Sequence, residues 1–151
     1  MKKLSVLFIA LVLLLLSACS ESAEEIKNVN KLYDLSYEIS GYENVKIVTE
    51  KEKYTAEDKV IRYTITNVSE EESWINSSHD CFTLHKKVDD VWKRVGTKVD
   101  QFWTDLALGL PAGASETREI KLDDYFYLPL EKGEYRIAVE NLVSNTFEIV
   151  K

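Results

Sequence analysis

The chain has 151 residues, of which 45% are hydrophobic and 30% are charged, and its formal net charge is −7 at pH 7. This length fits one domain of ordinary size, and nothing in the sequence repeats at a fixed period. The acidic balance, with no basic stripe to neutralise phosphates, argues against a nucleic-acid partner. The composition therefore predicts one acidic globular domain.

The first 19 residues resemble a bacterial lipoprotein signal peptide. Lys2 and Lys3 precede an apolar run over residues 4–16, and Leu16-Ser17-Ala18-Cys19 ends it. The run is too short to span a bilayer comfortably, and small residues lead into the cysteine. The resemblance implies cleavage after residue 18 and lipid attachment at Cys19, where two acyl chains supply stable anchoring. The alternative is an uncleaved N-terminal helix that contains a cysteine.

Residues 19–41 are predicted as a lipidated N-terminus and an acidic tether. Removal of residues 1–18 takes away two lysines and no acid, so the net charge of −7 becomes −9. The polar, acidic residues after Cys19 are typical of a solvated segment. Residues 26–40 fit a short helix, an added strand or neither. The predicted location is the outer face of the bacterial cytoplasmic membrane, or the outer membrane if the source is Gram-negative.

Residues 42–151 are predicted as an all-β domain. Ile61, Tyr63 and Ile65 alternate with polar residues, as in a half-buried strand, and similar runs follow to the end of the chain. Asp89-Asp90 divides two such runs and predicts a hairpin. Seven or eight short strands separated by turn residues predict an antiparallel immunoglobulin-like β-sandwich.

The segment around Gly133 and Tyr135 supports this fold. A glycine turn two residues before a tyrosine, at the start of a penultimate strand, resembles the tyrosine corner of immunoglobulin-like folds. The resemblance implies a buried Tyr135 hydroxyl that bonds to backbone upstream.

Five segments resemble, in their order and spacing, a bacterial immunoglobulin-like domain family. They are Lys53-Tyr54, Tyr63-Thr64-Ile65-Thr66-Asn67, residues 82–92, Leu110-Pro111-Ala112-Gly113 and residues 128–137. The resemblance covers residues 43–150 and implies a domain of secreted proteins and lipoproteins of Gram-positive bacteria, without catalytic residues. Asp90 departs from the glycine usual in that hairpin. A more distant similarity, in the Pro-Ala-Gly turn and the Gly-x-Tyr strand, is to the Bacillus intracellular proteinase inhibitor family.

Cysteine and histidine supply few candidates for chemistry. With Cys19 acylated, Cys81 has no disulfide partner and is predicted to be a small buried hydrophobe with an inert thiol. His79, Asp80, Cys81 and His85 form a cluster of metal-type ligands, and a strand would place three of them on one face. No further ligand follows at a recognised spacing, so neither a metal nor a cofactor is predicted. No catalytic motif appears, and no enzyme is predicted.

Aromatic residues supply the candidate partner contacts. Either Trp92 or Trp74 is expected to fill the sandwich core. Phe102 and Trp103 are adjacent, so both cannot face inward from a regular strand. We therefore predict partner contacts at Trp74, Phe102 and Trp103, the alternative for Phe102-Trp103 being a local cap on the sandwich.

Two classes of function follow. The first is a non-enzymatic, membrane-anchored extracytoplasmic lipoprotein that acts as a binding or envelope accessory module for an unidentified protein or glycan. The second is a proteinase inhibitor, in which an exposed loop over residues 67–79 or 96–105 would occupy a protease cleft. The fold does not decide between them, because function resides in sites that differ among proteins of one fold.

Overall fold

The computed structural model describes residues 29–35, 43–76, 81–101 and 106–151. Within these residues the chain forms twelve strands and one helical turn, more strands than the seven or eight predicted, because several are only two to four residues long. In chain order they are β1 (Leu32–Asp34), β2 (Val45–Thr49), β3 (Lys53–Thr55), β4 (Val60–Asn67), β5 (Ser73–Asn76), β6 (Thr83–Val88), β7 (Val91–Val95), β8 (Ala107–Leu110), β9 (Ser115–Lys121), α1 (Leu122–Tyr125), β10 (Gly133–Val139), β11 (Leu142–Val143) and β12 (Phe147–Val150).

The strands form three sheets. A seven-stranded sheet has the order β1-β7-β6-β10-β12-β3, with β11 paired to β10. A three-stranded sheet has the order β2-β4-β9, and β5 and β8 form a two-stranded sheet. Pairing within the sheets is antiparallel except between β3 and β12, which are parallel. This arrangement confirms the predicted all-β, immunoglobulin-like architecture.

The core lies between the two larger sheets and follows from strict alternation along the strands. In β4, Ile61, Tyr63 and Ile65 are buried, whereas Arg62 between them is exposed. Residues of β10 and β12 supply the facing layer, in which the Phe147 ring lies against Tyr54 and Tyr135. Alternate residues of a strand point to opposite faces, so each sheet buries one apolar face.

The predicted hairpin at Asp89-Asp90 is confirmed. Val88 pairs with Val91, so these two aspartates form the whole loop. Their φ angles are 50° and 62°, which is the left-handed conformation that a type I′ turn requires at both central residues. Aspartate enters this region more readily than most residues, and this tolerance explains how Asp90 stands where glycine is usual.

The tyrosine corner is also present. The Tyr135 side chain is buried, and its hydroxyl donates a hydrogen bond of 2.7 Å to the carbonyl of Glu131. Gly133, between them, has a φ of 148°, a conformation that L side chains rarely adopt. The corner thus fixes the turn before β10.

The N-terminal segment contributes an added strand, one of the alternatives left open by the sequence. β1 pairs with β7 at the edge of the large sheet. The Asn30 side chain both donates to the carbonyl of Tyr127 (2.7 Å) and accepts from its N–H (2.8 Å). The Gly96 N–H donates to the carbonyl of Lys31. Residues 29–35 therefore dock on the domain.

Helical structure is minimal in the described residues. Leu122 follows β9 directly, begins the single turn α1 and is buried. Among the described residues no helix is long and apolar enough to cross a membrane. The predicted signal segment 1–18 and Cys19 lie outside the described residues.

Candidate binding surface

The two-stranded sheet of β5 and β8 carries the most exposed aromatic side chain in the described part of the chain. Trp74 is 66% exposed and lies directly across from Gly109, which has no side chain to cover it. The expectation that Trp74 fills the core is therefore wrong. Its exposure is compatible with the predicted partner contact, which stays a prediction.

Two leucines near the same strand pair are also exposed. Leu106, just before β8, is 68% exposed, and Leu108 within β8 is 41% exposed. The register pairs Leu108 with Ile75, so Leu108 and Trp74 lie on opposite faces of the two-stranded sheet. We call the face of this sheet that carries Trp74 the β5–β8 surface. Leu110, at the end of β8, is buried.

A buried asparagine holds the β5–β8 sheet on the body of the domain. The Asn67 amide group donates to the carbonyls of Leu110 (2.8 Å) and Glu71 (2.6 Å). Its carbonyl oxygen accepts from the N–H and the hydroxyl of Ser69. The proposed inhibitory loop 67–79 is therefore not one open loop, because Asn67 ends β4 and residues 73–76 form β5.

Arg118 supports the β5–β8 sheet from the domain interior. Its side chain is fully buried, pairs with Glu116 at 2.8 Å and donates to the carbonyl of Asn76 at 2.7 Å. Burial raises the pKa of the neighbouring Tyr63 hydroxyl to about 12, although the Arg118 charge opposes this rise. Arg118 is not among the predicted site residues, although its alternation with Ile120 on β9 indicates that it faces inward.

Several predicted site residues lie outside the described residues, namely Cys19, His79, Asp80, Phe102 and Trp103. The second proposed inhibitory loop, 96–105, is described only to Gln101, whose side chain donates to the carbonyl of Phe82 at 3.3 Å. The inhibitor interpretation stays a prediction.

Cys81 and His85 are both buried. The Cys81 side chain is 2% exposed, which confirms its predicted burial, and burial raises the pKa of its thiol. Burial, reinforced by Arg136 and Arg94, lowers the pKa of His85 to about 4. One imidazole nitrogen contacts the Thr83 hydroxyl and the other accepts from Arg136. Among the described residues no group of three or more such side chains is arranged to hold a metal ion.

Trp92, the second candidate for a core tryptophan, is only half-buried. It lies on the outer face of the large sheet, where the Arg136 guanidinium stands 4.4 Å from its ring centroid. The prediction that Trp92 or Trp74 fills the core is wrong for both. Phenylalanine and tyrosine rings fill the core instead.

Comparison with known proteins identifies the fold but no activity. The model of a family described as bacterial Ig-like domain matches residues 41–148. No curated protein matches the chain. Similar solved structures include an alkylpurine DNA glycosylase from Pseudomonas fluorescens (14% identity, TM-score 0.40, 75% of this chain and 32% of that chain). Two others are β-glucosidases, from Erythrobacter marinus (12% identity, TM-score 0.38, 70% and 15%) and from Listeria innocua (13% identity, TM-score 0.37, 70% and 16%). The chain spans less than a third of the length of each of these proteins.

Proposed function

This chain belongs to the bacterial Ig-like domain family, and from that premise we propose that it is a lipid-anchored, non-enzymatic binding module that acts outside the cytoplasmic membrane. The anchor is a diacylglycerol on Cys19, and the partner is a protein. The family supports a binding or accessory role, because Ig-like sandwiches commonly present loops and strand edges to partners.

The observation that carries this proposal is the β5–β8 surface. Trp74 is 66% exposed on one face of a two-stranded sheet that is separate from the two larger sheets. An exposed large aromatic side chain is a candidate contact, because tryptophan is enriched among the residues that dominate binding energy at protein interfaces.

A labelling experiment tests the anchor. Cells that express the full chain are fed labelled palmitate, and we expect label and membrane association for the native chain and for Cys81→Ser. Cys19→Ser should lose the label, because the thioether needs the Cys19 sulfur. Equal labelling of Cys19→Ser and the native chain would contradict the proposed anchor.

A cross-linking experiment tests the partner surface in intact cells. We expect the native chain to form a cross-linked protein complex. Trp74→Ser should lower the affinity for that partner by about tenfold, and with it the yield of complex, since an anchor tryptophan contributes more than about 1 kcal/mol. Val91→Ser is the matched control, because Val91 is 54% exposed on a different hairpin. Equal loss in both variants, or complexes unaffected by Trp74→Ser, would argue against this surface. A glycan partner would show as retention on purified cell-wall glycan without any protein cross-link.

A further inference from the structure

A row of basic side chains crosses the outer face of the seven-stranded sheet. The register places Arg94 of β7 opposite His85 of β6, and His85 opposite Arg136 of β10. Tyr33 of β1 extends the row, because it pairs with Arg94. Directly opposed residues share a face, so these four side chains form one line over four strands.

The two arginines of this row have no carboxylate partner among the described residues. The nearby lysines are paired: Lys87 lies 3.5 Å from Asp90 and 3.6 Å from Glu134, and Lys53 lies 3.0 Å from Glu148. Arg94 and Arg136 therefore differ from these lysines, because no ion pair among the described residues neutralises them.

The other two arginines of the chain behave differently. Arg62 pairs with Glu119 and Glu50, and Arg118 pairs with Glu116. Acidic residues outnumber basic ones, 26 to 19, so carboxylate partners are plentiful in this chain. The unpaired state of Arg94 and Arg136 is thus a local property of the outer sheet face.

Aromatic rings hold both guanidinium groups in place. Arg136 lies 4.4 Å from the centroid of Trp92, and Arg94 lies 5.3 Å from that of Tyr33. A guanidinium that stacks on a ring through its flat face keeps its in-plane N–H groups for bidentate bonds to an oxyanion. The Arg136 Nε donates to His85 Nδ1 at 3.3 Å, which orients its fork and leaves the two terminal nitrogens available.

A polar cleft opens beside this row. Tyr33, Thr83 and Arg94 are among the residues that line it, and its volume is about 200 Å³. Arg94 is the one arginine of the row in this lining, and Asp100 lines the cleft as well. Since one water molecule occupies roughly 30 Å³ in the liquid, the cleft has room for a small anion.

We propose that Arg94 and Arg136 bind a phosphate-class oxyanion on the outer face of the large sheet, with Tyr33 and Trp92 as positioning residues. The oxyanion comes either from a lipid headgroup or from soluble phosphate. The headgroup source rests on the proposed anchor at Cys19, which places this sheet edge near the bilayer. The soluble source is independent of that anchor.

The four arginines provide a direct readout. In the full chain purified in detergent, the side-chain Nε–H signals of the arginines are followed by NMR during titration with inorganic phosphate, and substitutions assign them. We expect saturable shifts of the Arg94 and Arg136 signals only. Absence of any shift, or parallel shifts of all four arginines, would overturn the site, because parallel shifts indicate general salt screening.

Substitutions then test the pair. Arg94→Gln and Arg136→Gln should each lower the affinity for phosphate about tenfold, the loss expected for a charge-assisted hydrogen bond. Arg94→Lys should restore part of the affinity, because it keeps the charge but not the fork. Arg62→Gln is the matched control, because it removes the same charge from the other sheet, and it should bind phosphate like the native chain.

A reconstitution distinguishes the two sources. The full chain is placed in lipid nanodiscs made of phosphatidylcholine alone or with phosphatidylglycerol. Shifts of Arg94 and Arg136 in the anionic discs without added phosphate would assign the headgroup source, and shifts only on addition of phosphate would assign the soluble source. Shifts in neither condition overturn the proposal without touching the anchor, which palmitate labelling tests separately.

Discussion

The Tyr135 hydroxyl shows how one atom fixes the course of the backbone. It is buried, and its hydrogen bond of 2.7 Å to the Glu131 carbonyl closes the turn before β10. Burial raises the pKa of this hydroxyl, so it remains a neutral donor over the physiological range. Its role is structural, as the Gly-x-Tyr spacing predicted.

Replacing this hydroxyl should cost stability without changing the fold. We expect Tyr135→Phe to lower the free energy of unfolding by about 1–2 kcal/mol, because the Glu131 carbonyl loses its partner while the ring stays packed. Urea denaturation measures this. Tyr33→Phe is the control, because Tyr33 is 44% exposed and should change stability by no more than about 0.5 kcal/mol. An equal loss in both variants would contradict the corner.

His85 makes stability depend on pH. Its folded-state pKa of about 4 lies below the ordinary value of 6.5, so the unfolded chain binds the proton more readily. Stability should therefore fall as pH drops from about 6.5 towards about 4, by roughly 3 kcal/mol in total. Denaturation at a series of pH values measures the slope, and His85→Gln should flatten it. An unchanged slope in His85→Gln would show that other groups cause it.

At the scale of elements, one side chain anchors the segment that carries β1. Asn30 satisfies both backbone groups of Tyr127, and its neighbour Lys31 accepts from Gly96. A strand of only three residues has little apolar area to hold it, and its exposed residues confirm this. Its attachment therefore rests on these hydrogen bonds and on its pairing with β7.

Asn30→Ala should release β1 from the sheet edge. We expect the Gly96 amide, which donates to Lys31, to exchange its hydrogen about tenfold faster, because the Asn30 hydrogen bonds to Tyr127 no longer offset the entropic cost of ordering the segment. Native-state hydrogen exchange measures this. The Ile137 amide, bonded to Ser144 in the interior, should keep its rate. Faster exchange at both amides would indicate global destabilisation rather than release of β1.

At the scale of the whole molecule, one asparagine links the two larger sheets. Asn145 accepts from the N–H of Thr49 in β2 at 2.8 Å, and its own N–H donates to the carbonyl of Ile47. Ser144, next to it, forms a bridge with Ile47. This contact joins segments almost a hundred residues apart, since Asn145 and Thr49 are separated by 96 positions.

Asn145→Ala should destabilise the entire sandwich. We expect a loss of about 1–3 kcal/mol in the free energy of unfolding, because the buried Thr49 N–H loses its acceptor. Thr146→Ala is the neighbouring control at an exposed position and should stay within about 0.5 kcal/mol. Denaturation monitored by fluorescence and by circular dichroism measures both. Stability unchanged in Asn145→Ala would contradict this link.

The docked segment also limits the reach of the proposed anchor. With Asn30 held on the domain, the chain between it and Cys19 can extend at most about 40 Å, from about 3.6 Å per residue. The sequence alone allows a longer tether, to residue 41. Docking of β1 would therefore hold the domain closer to the bilayer than a free tether up to residue 41 would.

The sequence by itself determined the features that depend on neighbours along the chain. Alternation in β4, the Asp89-Asp90 turn and the Gly133–Tyr135 corner follow from local sterics and spacing, and the structure has all three. Burial of Cys81 also followed, because free cysteine behaves as a small hydrophobe and the apolar Phe82 and Leu84 come directly after it in the chain.

Only the tertiary structure decided which strands became neighbours. Placement of β1 on β7, exposure of Trp74 and the row from Arg94 to Arg136 each depend on pairing between distant segments. Alternation along a strand indicates which side of the strand a residue faces, but it does not indicate whether another sheet covers that side. This is why neither of the two tryptophans considered for the core lies in it, and why the burial of Arg118 was not predicted.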